Sequence, residues 1–111
     1  MTEVHVCNGS LYKMPVNGAA LSTTSATTGN AVFKASPGST YQLISAAAAT
    51  AIIEVTNEDA TAVGTNSNWV TMGTITLSGA GTDGFMIQAC WKWVRARITV
   101  ASAATSVLMG S

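Results

Sequence analysis

A two-residue alternation of side-chain types runs through the stretch WKWVRARITV, residues 91–100. One face of a strand with this period carries aromatic and polar side chains: Trp91, Trp93, Arg95, Arg97 and Thr99. Val94, Ala96, Ile98 and Val100 share the other face, which from residue 94 onward is aliphatic. The pattern predicts a half-buried strand, because a helix would need a period of 3.6 residues.

Similar strand patterns recur along the chain and are separated by turn residues. The predicted strands are 3–7, 31–36, 40–45, 50–57, 69–78 and 85–100. A last hairpin is predicted to run through ASAAT, residues 101–105, to SVLMG, residues 106–110, and to end at residue 111. The segment 85–100 is either one strand or a bent pair. Turns are predicted at Pro37–Gly38 and 78–84, and a hairpin connection at 57–68. The short segment 46–49 is compatible with at most one helical turn.

These patterns predict one all-β domain spanning residues 1–111. We expect an antiparallel β-sandwich or jelly roll of six to eight short strands. Residues 16–30, VNGAALSTTSATTGN, contain small polar side chains and follow neither period. This segment is predicted to be an extended N-terminal loop, or an arm that lies along a partner subunit, because Thr and Ser accept β geometry.

The predicted core is thin. Hydrophobic residues make up 48% of the chain but aromatic residues only 6%, and many of the apolar residues are alanines, which bury little area. A small domain with few large apolar groups often gains stability from association, so we expect a subunit of an assembly.

The charge balance disfavours nucleic acid as a direct partner. Five basic residues balance five acidic ones, whereas proteins that bind phosphates usually carry a basic excess. No segment reaches the ~20 apolar residues of a spanning helix, and the N-terminal residues do not resemble a signal peptide. We therefore expect no membrane partner, assembly in the cytoplasm, and Cys7 and Cys90 as free thiols.

A glycine-rich motif, GAGTDG at 79–84, matches the dinucleotide pattern G-x-G-x-x-G. A nucleotide site requires a helix after this motif, but a strand pattern follows it. Asp83–Gly84 is better explained as a hairpin turn with positive φ. We therefore expect no cofactor.

The potential catalytic and metal-binding residues are scattered. His5, Cys7 and Cys90 are soft ligands without metal-site spacing, and Glu58–Asp59 resembles a solvated turn. No nucleophile has an evident base, so no enzyme activity and no metal site are expected.

Glu54 lies on the opposite strand face from Ile53 and Val55. It can pair across strands with Arg95 or Arg97 on the outside of the sheet. Alternatively, those arginines contact another chain. The sequence leaves both possibilities open.

Residues 68–110 resemble virion proteins of tailed bacteriophages. The likeness rests on a Trp-led strand, a glycine-rich turn, the W-x-R-A-R strand at 93–97, a short turn and a closing Met109–Gly110. Small size, an all-β pattern and the lack of catalytic groups are further similar to capsid decoration proteins, also called cement or staple proteins, including those with a jelly roll.

The resemblance implies a non-enzymatic homodimer on the capsid surface of a virion. Such a protein binds across neighbouring major capsid proteins and reinforces the shell against internal pressure. Aromatic and arginine side chains are enriched at interface hot spots, so the expected partner-binding residues are Trp91, Trp93, Arg95 and Arg97.

Two other functions fit the same sequence. One is another virion part, such as a tail, collar or fibre module. The other is a carbohydrate-binding sandwich that uses Trp69, Trp91 or Trp93 as a sugar platform, which requires a tryptophan open to solvent.

Overall fold

The chain is an antiparallel β-sandwich, as the sequence predicts. The structure is a computed structural model that describes residues 11–13, 23–29, 31–33, 38–58 and 68–110. These residues form nine strands. They are β1 Leu11–Lys13, β2 Thr27–Thr28, β3 Val32–Phe33, β4 Gly38–Ser45, β5 Ala49–Thr56, β6 Val70–Leu77, β7 Gly81–Gln88, β8 Trp93–Ala101 and β9 Thr105–Gly110.

The strands form two sheets with jelly-roll order. Sheet A runs β1-β9-β4-β7, and sheet B runs β2-β8-β5-β6, with β3 also paired to β8. Because β2 and β3 both pair with β8, they act as one interrupted edge strand, which leaves eight strand positions. The pairs β1 with β9, β2 and β3 with β8, β4 with β7 and β5 with β6 are nested, so the chain is one long hairpin rolled into two sheets.

The core lies between the sheets and is built from every second residue of each inner strand. Sheet A contributes Tyr41, Leu43, Val107 and Met109, and sheet B contributes Ile53, Val55, Val94, Ala96 and Ile98. The alternation predicted for β8 is confirmed from Trp93 to Ile98. Buried polar side chains pair with each other, as Ser45 Oγ does with Thr105 Oγ1 at 2.9 Å.

The alternation in β8 fails at its end. Val100 was expected in the core, but it is 48% exposed. Thr50 pairs with Val100 and Ala51 with Ile98, so Thr99 is an extra residue that forms a β-bulge. A bulge shifts the following side chains to the opposite face, and the sequence alone does not reveal it.

The connections between the last strands decide one alternative and correct one expectation. Of the two possibilities for the segment 85–100, two strands are present rather than one, and these strands, β7 and β8, lie in different sheets. The expected last hairpin is wrong, because β8 pairs with β5 whereas β9 pairs with β4, so residues 102–104 form a corner between the sheets. The segment 46–49 contains no helix, and β5 begins at Ala49.

The predicted turn at Asp83–Gly84 is also wrong. Both residues lie inside β7, where Leu43 pairs with Asp83 and Gln42 with Gly84. The turn comes earlier, at 78–80, and Gly81 then adopts a φ of +157°, a value that favours glycine. Gly84 is required for a different reason. A Cβ built on it would lie 2.2 Å from the carbonyl oxygen of Tyr41 on β4.

Part of the predicted arm pairs with the same chain. Thr23 exchanges two backbone hydrogen bonds with Thr105, each 2.9 Å long, and Thr27–Thr28 pairs with β8. Residues 16–22 and residue 30 of this segment lie outside the described residues. The predicted strand at 3–7 also lies outside them. In the described part of the chain, no helix is long and apolar enough to cross a membrane.

Candidate functional site

The outer face of sheet B carries a cluster of charged and aromatic side chains. We call Glu54, Trp69, Arg95 and Arg97 the Glu54 cluster. Arg95 is the direct partner of Glu54 in the β5–β8 register, and Arg97 lies opposite Ile52, two residues away. Arg95 therefore faces the carboxylate directly and Arg97 faces it diagonally, and both positions allow cross-strand ion pairs.

Glu54 binds both arginines. Its Oε1 accepts a hydrogen bond from Arg95 Nε at 2.8 Å, and its Oε2 accepts bonds from Arg97 Nε at 3.3 Å and Nη2 at 3.2 Å. The Glu54 side chain is only 8% exposed, while Arg95 is 15% and Arg97 36% exposed. Of the two possibilities left open by the sequence, the pairing within the chain is therefore present.

Trp69 completes the cluster from the neighbouring strand. It immediately precedes β6, and the Arg95 guanidinium lies 4.2 Å from the centre of its ring. This distance is that of a cation–π contact, which adds about 0.5–2 kcal/mol depending on exposure. Arg95 is thus fixed on one side by a carboxylate and on another by an indole.

The expected partner-binding residues divide into two groups. Trp93, Arg95 and Arg97 lie on β8 at alternate positions and share the outer face. Trp91 was expected on the same face, but β8 begins only at Trp93, and Trp91 instead packs against the core. The face assignment of Trp91 is therefore corrected.

The contact between Trp69 and Arg95 was not predicted. Trp69 was considered only as a sugar platform. The two residues are brought together by the pairing of β8 with β5 and of β5 with β6, and a bulge shifts the second pairing between Ile53 and Glu54. Two successive registers cannot be counted from the sequence.

The Glu54 cluster is positively charged. One carboxylate against two guanidiniums leaves a net charge of +1. Both carboxylate oxygens of Glu54 accept hydrogen bonds from guanidiniums. Arg97 has the most exposed of the three charged side chains in the cluster, at 36%.

The other acids among the described residues, Glu58 and Asp83, have local structural roles. Glu58 Oε1 accepts a 2.6 Å hydrogen bond from the backbone amide of Asn68, which closes the base of the β5–β6 connection. Asp83 Oδ1 accepts a 2.8 Å hydrogen bond from the backbone amide of Gly84.

Cys90, one of the three soft ligands considered from the sequence, is exposed with a free thiol. His5, Cys7 and Asp59 lie outside the described residues. Within the described ranges, no three His, Cys, Asp or Glu residues come together as metal ligands.

A shallow depression lies on the outside of sheet A. It spans the β4–β7 pair and is lined by Thr40, Tyr41, Gln42, Thr82, Asp83, Gly84, Phe85 and Met86. Gln42 Nε2 donates a 2.9 Å hydrogen bond to Thr82 Oγ1 across this face. The depression exists because Gly84 places no side chain between Thr82 and Met86.

The chain was also compared with known proteins. No protein-family model, no curated protein and no solved structure matches it.

Proposed function

We propose that this chain is a non-enzymatic structural protein of a bacteriophage virion. It binds the outside of the capsid and staples neighbouring major capsid subunits. The observation that carries the proposal is the outer face of sheet B, where Trp93, Arg95 and Arg97 alternate along β8 and Trp69 contacts Arg95.

Such a surface suits protein recognition. Arginine and tryptophan are the side chains most enriched among interface hot spots. An arginine that is already held by a carboxylate and an indole loses little side-chain freedom when a partner binds. The open part of Arg97 then adds a charge-assisted hydrogen bond to an acceptor on the capsid protein.

The fold is compatible with this function. Jelly rolls occur in viral capsid proteins and in lectins, although a fold alone does not determine function. A staple that contacts several subunits needs no strong single contact, because each contact raises the effective concentration of the next.

Binding to empty expanded capsids of the phage tests the proposal. The purified protein is expected to saturate the shells at a fixed stoichiometry and to raise their resistance to heat. Shells that bind no protein, or whose stability is unaltered at saturation, would contradict it.

A pair of variants tests the surface itself. Arg97→Ala removes the exposed guanidinium and is expected to weaken shell binding at least about tenfold, the effect of a moderate hot spot. Lys92→Ala is the matched control. It also removes the positive charge of an exposed side chain, but Lys92 is not part of the Glu54 cluster. Equal affinities of the two variants would show that the cluster is not the contact.

A carbohydrate-binding function is the second candidate, because Trp91 and Trp93 are only half-buried. Trp69 is a poor platform, since the Arg95 guanidinium covers one face of its ring. Acrylamide quenching measures whether a tryptophan is open to solvent, and complete shielding of all three tryptophans would exclude this function.

A position in the tail, collar or fibre of the virion, instead of the capsid, is distinguished by immunogold labelling of whole particles.

A further inference from the structure

The outer edge of β6 is a long strand edge that no described strand covers. β6, Val70–Leu77, pairs with β5 on one side. On the other side, alternate residues present backbone N–H and C=O groups without a strand partner in the described part of the chain. Seven of its eight residues are exposed or half-buried, and only Ile75 is buried.

Natural proteins usually protect such an edge, and the usual protections are weak here. The sequence VTMGTITL contains no lysine, no other charge and no proline. One bulge lies near its start, between the pairs Ile53–Gly73 and Glu54–Thr71. The remaining stretch, 73–77, is regular and rich in β-branched residues, which favour strand pairing.

The other described edges are less suitable. β1 has three residues, and β2 and β3 have two each. β7 is as long as β6, but it contains Asp83, whose carboxylate accepts the amide hydrogen of Gly84. A charged side chain in an edge strand is one of the usual protections against pairing with another chain. β6 has neither feature.

We infer that β6 pairs antiparallel with β6 of a second copy, which joins the two B sheets into one continuous sheet. An antiparallel pair of identical strands has two-fold symmetry, so each strand must be complementary to itself. A strand without charge meets this condition because no like charges oppose each other across the axis.

The register with the axis at Ile75 fits the side chains. It places Thr74 of one copy opposite Thr76 of the other, twice, on the exposed face of the sheet. Threonine pairs opposite each other are favourable in antiparallel sheets. Val70 and Met72, 45% and 37% exposed, lie on the same strand and add apolar surface close to the interface.

This inference supplies a contact for the homodimer that the resemblance to capsid decoration proteins implies, but it rests on the edge of β6 alone. It is tested on the isolated protein without capsids. A failure of capsid binding would therefore leave it standing, and its own failure would leave capsid binding untouched.

Sedimentation velocity over a concentration series is the experiment. The unaltered protein is expected to be a dimer, and Thr76→Lys is expected to raise the dissociation constant at least about tenfold, because it places two charges near the axis. Gln88→Lys adds the same charge to the exposed edge strand β7 and should leave the dimer intact. A monomeric unaltered protein, or equal effects of both variants, would overturn the inference.

Disulfide cross-linking tests the register and does not depend on how Thr76→Lys folds. Thr74→Cys and Thr76→Cys are prepared separately in chains whose Cys7 and Cys90 are replaced by Ser, and are then mixed and oxidised. A cross-linked heterodimer in excess over either homodimer is expected. Equal yields of all three products, or products larger than dimers, would contradict a closed two-fold pair at this edge.

Discussion

At the residue scale, Glu54 shows how strand pairing decides the environment of one side chain. Its position between Ile53 and Val55 predicted an outward side chain. Pairing with Arg95 or Arg97 was one of the two possibilities that the sequence left open, and Glu54 binds both arginines. Its burial was not predicted, because the Arg95 side chain and the ring of Trp69 cover this part of the sheet. Coverage by neighbours depends on register, which the sequence does not state.

Replacing Glu54 is expected to be costly. Glu54→Gln leaves two guanidiniums close together without their common counterion. We expect a loss of about 2–3 kcal/mol in unfolding free energy, below the roughly 3–5 kcal/mol of a fully buried pair, because Arg97 is 36% exposed.

Urea denaturation measures this loss, with Glu58→Gln as the control. A glutamine at position 58 keeps an oxygen that can accept the Asn68 amide hydrogen, so this variant should lose less than about 1 kcal/mol. Similar losses for the two variants would show that the charge of Glu54 is unimportant.

Tyr41 provides a pH-dependent test of the core. Burial raises the pKa of its hydroxyl above the usual value of 10.0, and the 2.7 Å hydrogen bond with Ser39 acts in the opposite direction. Above pH 10.0 the unfolded chain therefore loses this proton while the folded chain retains it. Stability is fully present below that pH and falls as the pH rises towards the folded pKa.

The expected slope is up to about 1.4 kcal/mol of unfolding free energy per pH unit. Tyr41→Phe lacks this slope, so the difference between the two proteins isolates Tyr41 from the other groups that titrate. Urea unfolding between pH 8 and 11 measures it. Parallel pH profiles for the two proteins would contradict the burial of the hydroxyl.

At the scale of elements, two nearby glycines are expected to differ sharply. Gly84→Ala forces a Cβ against the Tyr41 carbonyl oxygen in the paired strand, whereas a Cβ at Gly79 would meet nothing within 4 Å. We expect Gly84→Ala to cost at least the upper end of the roughly 1–3 kcal/mol typical of overpacking, and Gly79→Ala to stay within about 0.5 kcal/mol. Thermal unfolding of both variants distinguishes them, and comparable melting temperatures would refute the close approach of β7 to β4.

Strand positions were predictable where side-chain period and turn residues agreed. β4, β5 and β6 lie within a few residues of the predicted segments, since each combines β-branched residues with flanking turns. β8 followed its pattern until Thr99, where an extra residue changes the face of Val100. A bulge depends on the pairing strand, so it leaves no mark in the period of its own strand.

At the scale of the whole molecule, the sandwich was predictable but its connections were not. Short strands without long helices suffice to indicate two packed sheets. Hairpins were expected across residues 57–68 and at the end of the chain, and only the first of them is present, as the pair of β5 and β6. In a nested roll, however, most pairs join distant segments, and β8 and β9 belong to different sheets. Local sequence patterns do not contain that information.

The nested roll also fixes where the described chain enters and leaves the sandwich. Leu11 is the direct Cα partner of Gly110, because the first and last strands run side by side. Peptides or reporter proteins attached before β1 and after β9 would consequently emerge from one corner. Two proteins fused at these positions would lie next to each other. Both fusion points are on strands of sheet A, whereas Trp69, Trp93, Arg95 and Arg97 lie on the outer face of sheet B.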